Sequence, residues 1–168
     1  VNTDGTGFSL VHSFWNLPGI PSPVGPLAIG GNVLYGVVGN AGTTGNGAIY
    51  KVNTDGTGYT VLKDDFNSNT DGYSPLAGLT LSGNTLYGSM GGGGVGSVGT
   101  IFKINTSGTG FTLLHSLSNS TGASPGGRLL VDGDTLYGTA QRGGSNGVGT
   151  VFKLKTDGSG FTVHWMMS

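Results

Sequence analysis

The sequence predicts an all-β chain of three tandem units of about 51 residues, each four antiparallel strands, with one extra strand in front. Three observations carry this expectation. Sequence markers return in one order at a fixed period, the composition disfavours helices, and two-residue glycine turns stand at equivalent places.

The period is the primary signal. NTDGTGF at residues 2–8 returns as NTDGTGY at 53–59, NTSGTGF at 105–111 and KTDGSGF at 155–161. LYG recurs at 34–36, 86–88 and 136–138, and GAIYK, GTIFK and GTVFK begin at Gly47, Gly99 and Gly149. A Ser-Pro pair begins at Ser22, Ser74 and Ser124, each 12 residues before its LYG leucine. Helices are disfavoured because the chain has 36 glycines, no glutamate and few alanines. Glycine and proline together make up about a quarter of the residues, a content that without a period would indicate disorder.

In the second unit the strands read as a, 79–82; b, 85–89; c, 100–105; and d, 111–116. Gly83-Asn84 closes the a–b hairpin, as Gly31-Asn32 and Gly133-Asp134 do in the other units. The c–d link is the TDGTG loop, where Asp-Gly again supplies turn chemistry. Strand c is apolar on both faces apart from one lysine (Lys51, Lys103 or Lys153), which suits a sheet covered on both sides. Four-stranded antiparallel sheets repeated around an axis make a β-propeller, so the expected fold is propeller-like. The units span 17–66, 67–117 and 118–168, within a single repeat domain, and 1–16 holds the extra outer strand. Leu34, Leu86 and Leu136 should be buried at equivalent sites, as should Tyr50, Phe102 and Phe152. The last d strand, FTVHWMMS, reads as one residue short before His164, so its inward and outward alternation is expected to fail.

TLYGT, GTVFKLKTDGSGF and FTLLHSL resemble the GloVer-type tandem repeat of secreted or surface-anchored bacterial proteins, over nearly the whole chain. The resemblance implies a propeller-like fold, a bacterial source and an extracellular setting, and it implies no biochemistry.

Composition excludes several functions. Charged residues are 9% of the chain, against about 25% in ordinary domains, and the net charge is -1. Nucleic acid would ask for a clustered basic surface, so no nucleic acid partner is expected. No apolar run is long enough for membrane insertion. There is no cysteine, hence no disulfide and no thiolate metal site. The chain starts at Val1 without a visible signal peptide, which fits a mature product or a piece of something longer.

Few side chains suggest chemistry. One Asp per turn (Asp4, Asp55, Asp157, with Ser107 in the third copy) is too few for calcium, and each reads as a turn residue. His12 and His115 occupy equivalent d-strand places, with Lys63 in the other copy, and have no second ligand at metal spacing. The recurring lysines read as packed stems with surface ammonium groups. Asp64, Asp65 and Asp71 form the one acidic cluster, whose only catalytic reading is glycoside hydrolysis. Gly91 to Gly94 lacks the Lys-Ser/Thr of a phosphate loop. The sequons at Asn105 and Asn119 carry no meaning in a bacterial protein. No cofactor and no metal are expected.

In an up-and-down blade the b–c and d–a links share one rim, and here they are long and differ between copies. They are residues 38–46, 90–98 and 140–148 for b–c, and 15–23, 67–73 and 118–123 for d–a. Trp15, Asn16, Tyr73, Gln141 and Arg142 are the side chains there best suited to stacking on a ligand or hydrogen-bonding it. The expected function is a non-enzymatic extracellular scaffold that binds carbohydrate or a surface protein at this rim. The alternatives are a purely structural self-assembling filament subunit and a glycoside hydrolase. Propellers typically have about 4–8 blades, so three should not close alone. The expected partner is a second copy, a homo-oligomer whose dimer gives six blades, with the spare N-terminal strand pairing beside strand c of a terminal blade.

Overall fold

The computed structural model describes the backbone of residues 4–166 and the side chains of residues 4–163. Twelve strands and no helix occur among the described residues, so none has a helix long and apolar enough to cross a membrane. The strands form three separate four-stranded antiparallel sheets. The first contains β1 (Gly19–Gly30), β2 (Val33–Ala41), β3 (Ala48–Asn53) and β4 (Thr60–Lys63). The second contains β5 (Thr80–Ser82), β6 (Thr85–Met90), β7 (Thr100–Asn105) and β8 (Thr112–Ser116). The third contains β9 (Leu130–Asp132), β10 (Thr135–Ala140), β11 (Thr150–Lys155) and β12 (Thr162–Met166). Within each sheet the spatial order is the chain order, and successive sheets meet most closely through β1, β5 and β9. This is a β-propeller-like arrangement of three blades, and the ring is not closed.

The three expected two-residue hairpins are present, with Gly30 paired to Val33, Ser82 to Thr85 and Asp132 to Thr135. Gly31, Gly83 and Gly133 have φ of 58°, 57° and 56°, and the residue after each keeps a negative φ. Positive φ at only the first central position is the type II′ pattern, whose twist suits a hairpin. The glycine of LYG has a different cause. A Cβ on Gly88 would sit 2.5 Å from the Phe102 ring, and Gly36 and Gly138 meet Tyr50 and Phe152 the same way. The tip of the ring on strand c occupies the gap that glycine leaves on strand b.

The core lies between blades. Tyr35, Val37 and Ile49 on one face of blade 1 pack against Leu79, Leu86, Met90, Phe102 and Ile104 of blade 2. The equivalent face of blade 2, with Tyr87, Ile101 and Leu114, packs against Leu129, Leu136, Phe152 and Leu154 of blade 3. Each blade thus has a leading face that covers the trailing face of the next. Tyr50, Phe102 and Phe152 are buried as expected, and so are Leu86 and Leu136.

Three expectations need correction. Leu34 is only half-buried, because no blade among the described residues packs on the trailing face of blade 1. Residues 8–14, expected as an extra outer strand, pair with no described strand, since no described strand c lies beside them. The last d strand keeps register: Val151 pairs with Trp165 and Phe152 with Val163, as Ile101 pairs with His115 and Phe102 with Leu113. No residue is missing there; His164 stands at the bulge that Leu114 fills in blade 2. The side-chain alternation beyond Val163 lies outside the described residues.

Candidate functional site

Hydrogen bonds separate two rims. On one, the c–d loop is tied to the a–b turn: Thr54, Thr106 and Thr156 donate through their N–H groups to the carbonyls of Asn32, Asn84 and Asp134. These loops are alike in all copies. Asp55 Oδ1 accepts from the Thr57 N–H at 2.9 Å and from its hydroxyl at 2.7 Å, and Asp4 and Asp157 do the same with Thr6 and Ser159. Those hydrogen bonds, from the Thr57 side chain and then its backbone, hold the Asp55 carboxyl below its ordinary range. The carboxylates act as turn acceptors. No cluster of three metal-ligating side chains occurs among the described residues. Asn105 is likewise engaged, donating from Nδ2 to the Thr109 hydroxyl.

The other rim carries the b–c and d–a loops and ties neighbouring blades together. The Ser74 N–H donates to the Asn46 carbonyl at 3.0 Å, and the Ser124 N–H to the Val98 carbonyl at 2.8 Å. Both serines adopt φ of 53°. Ser22 does not, and lies within the irregular strand β1, paired with Gly39. The first Ser-Pro thus departs from the other two.

Trp15, Asn16, Tyr73, Gln141 and Arg142 all sit on this second rim. Trp15 is 86% exposed and Tyr73 40%. The backbones of three of them are pinned: Tyr73 exchanges two hydrogen bonds with Gly92, Arg142 does so with Ala123, and the Gln141 N–H donates to Ser124. The Tyr73 ring lies over Gly92, where a Cβ would come within 2.5 Å of it. That contact accounts for part of the Gly91 to Gly94 run without any phosphate. The five come from three parts of the chain: Tyr73 belongs to blade 2, Gln141 and Arg142 to blade 3, and Trp15 and Asn16 precede blade 1.

The acidic cluster is tied up. Lys63 Nζ lies 2.6 Å from Asp65 and 3.9 Å from Asp71, and Asp64 accepts from the Thr43 N–H at 3.2 Å. The hydrogen bond from Lys63 keeps the Asp65 carboxyl below its ordinary range, the reverse of what a catalytic acid needs. Lys63 also lies 4.9 Å from the Phe66 and Phe111 ring centres. His115 stacks on Phe161 at 3.8 Å and His12 on Tyr59 at 3.8 Å. The His/Lys/His position therefore joins one blade to the aromatic residue of the next. Lys103 crosses the same boundary, its Nζ donating to the Thr156 carbonyl at 3.1 Å.

A groove of about 570 Å³ that the sequence did not signal runs between β5 and β9, lined by Thr80, Ser82, Arg128, Leu130 and Val131. Arg128 Nε donates to the Thr80 hydroxyl at 3.1 Å, and that hydroxyl donates to the Leu129 carbonyl. Arg128, one of two arginines in the chain, belongs to no repeated motif. It serves here as a tie between innermost strands.

Blades stacked face to face, joined by repeated aromatic clasps and bearing variable loops on one rim, define a propeller-like repeat protein. The chain belongs to the family described as the Gloeobacter/Verrucomicrobia repeat, which matches residues 1–167. The same fold appears in a chain of the nidogen/laminin complex, with a TM-score of 0.60 at 19% identity over 84% of this chain and 48% of that one. A putative TolB from Agrobacterium tumefaciens gives a TM-score of 0.53 at 18% identity, over 82% of this chain and 43% of that one. TolB from Acinetobacter baumannii gives 0.52 at 16%, over 92% and 34%. The chain therefore spans less than half the length of these structures. No curated protein matches it.

Proposed function

We propose that the protein is a non-enzymatic extracellular scaffold that associates with copies of itself through its two end faces. Its b–c and d–a rim is offered to a carbohydrate or protein ligand. The observation that carries this reading is a contrast between equivalent positions. Leu79 and Leu129 are buried at 0% and 3%, whereas Leu27, at the same place on the trailing end of blade 1, is 47% exposed. On the leading end Leu130 is 64% exposed, where Ala28 of blade 1 is buried at 1%. Thr139 is likewise exposed and Val151 half-buried where Ser89 and Ile101 are fully buried. Apolar surface that is covered inside a repeat array and bare at its ends favours further stacking, at roughly 25 cal/mol for each Å² covered.

The two end faces are complementary to each other and not to themselves, so the contact is head-to-tail. Two copies would supply six blades, and without closure the same contact would propagate as a filament. The test is sedimentation across the micromolar range with the intact chain and with Leu130→Lys. The intact chain should grow in mass on concentration, and the variant, altered at an exposed site, should stay folded and monomeric. An intact chain that keeps monomer mass overturns the reading. For the rim, Trp15→Ala and Tyr73→Ala should reduce glycan-array or protein-ligand binding without changing assembly.

A further inference from the structure

Resting on that self-association, we propose that residues 8–14 of one copy form the outer strand of the other copy's third blade, taking the place of its β12. The segment pairs with no strand among the described residues, yet it is already seated where such a strand belongs. The Val11 carbonyl faces Gly56 as the Leu62 carbonyl faces Gly108 and the Leu114 carbonyl faces Gly158. His12 lies on Tyr59 at the distance that separates His115 from Phe161. Residues 8–14 therefore stand against blade 1 as β4 stands against blade 2 and β8 against blade 3. The position is that of an outer strand whose inner three strands come from elsewhere.

Two further observations fit an incoming blade at this place. A mostly apolar cavity of about 240 Å³ lies beneath the segment, lined by Leu10, Val11, Phe14, Leu27, Leu34 and Tyr50. At the internal interfaces the equivalent space is filled by the leading face of the preceding blade, with Tyr87 and Ile101 in front of blade 3. The corresponding residues of a second copy are Tyr137 and Val151, which are only half-buried in its own chain. In addition, the His12 Nε2 and the Tyr59 hydroxyl are buried without a hydrogen-bond partner, and no described backbone hydrogen bond engages residues 8–13. An open strand edge of this kind is a template for pairing.

The exchange follows because two strands cannot share one place. When the third blade of a second copy docks on blade 1, its β12 and residues 8–14 claim the same edge of β11. The sequence favours the segment. FSLVHSF at 8–14 matches FTLLHSL at 111–117, with His at the position that stacks on the next blade's aromatic ring, while 161–167 reads FTVHWMM.

Register gives the test. Lys103 pairs with Thr112, so Ser9 of one copy should face Lys153 of the other, whereas within one chain Lys153 pairs with Thr162. The chain has no cysteine, so introduced pairs report cleanly. Oxidised at a concentration where sedimentation shows oligomers, Ser9→Cys/Lys153→Cys should be mostly covalent dimer or larger, with each single variant as control. The intrachain bond of Thr162→Cys/Lys153→Cys should form less readily as concentration rises. Oligomers without the Ser9–Lys153 cross-link, and with Thr162–Lys153 bonded at every concentration, overturn the exchange and leave self-association standing. A chain that stays monomeric overturns both.

Discussion

Leu34 and Leu86 are the same residue at the same place in the repeat, and they differ in what covers them, so the pair measures blade stacking directly. Leu86 is fully buried against blade 1, whereas Leu34 lines the cavity beneath residues 8–14. Replacing a fully buried leucine by alanine removes its transfer free energy and leaves a void, together about 2–5 kcal/mol. Leu86→Ala should fall in the upper part of that range, because Phe102 and Ile104 beside it are also fully buried. At Leu34 part of the transfer term is already lost to solvent, and truncation enlarges an existing cavity instead of opening one. Its cost should be about 1 kcal/mol in the monomer, from roughly half of a leucine's 1.5–3 kcal/mol burial. Urea unfolding at submicromolar concentration measures both variants against the unaltered chain. At concentrations where the chain assembles, the cost at Leu34 should rise towards that at Leu86, since a second copy then covers it. Equal costs for the two variants in the monomer would refute the claim that blade 1 has a bare trailing face.

Further outcomes can be measured in the same way. Phe102→Ala should destabilise by about 3–5 kcal/mol, as for other buried phenylalanines, and a loss below about 1 kcal/mol on urea unfolding would contradict its burial. Gly88→Ala should cost about 1–3 kcal/mol by driving a methyl into the Phe102 ring, and Gly88→Ala/Phe102→Leu should recover part of that loss. Burial lowers the His115 pKa below its ordinary 6.5. The unfolded chain therefore binds a proton that the folded chain resists, and stability should hold above about pH 6.5 and decline as pH falls below it. His115→Leu should flatten that decline in pH-dependent thermal melts. Asp65→Ala removes an exposed partner of Lys63 and should change stability by at most about 1 kcal/mol, measured by the same urea unfolding.

The repeat, the hairpin turns and the strands of each blade were legible in the residues because they are local matters. A Gly-Asn pair between apolar runs signals a two-residue hairpin turn, and its II′ form and the fit of the LYG glycine to the ring on strand c came with the structure. Trp15, Tyr73 and Arg142 were proposed for one rim from the order of the strands alone, and their role there rests on that proposal. What the tertiary structure decided is everything that depends on the neighbouring blade. It showed that identical leucines differ in burial, that Ser22 abandons the conformation of Ser74 and Ser124, and that the His/Lys/His position clasps the next blade. It also showed that FSLVHSF, a strand by its letters, pairs with no strand among the described residues. A β-strand is completed by its partner and a repeat by its neighbour. One chain's letters carry the preference for such contacts, and the fold determines which of them are made.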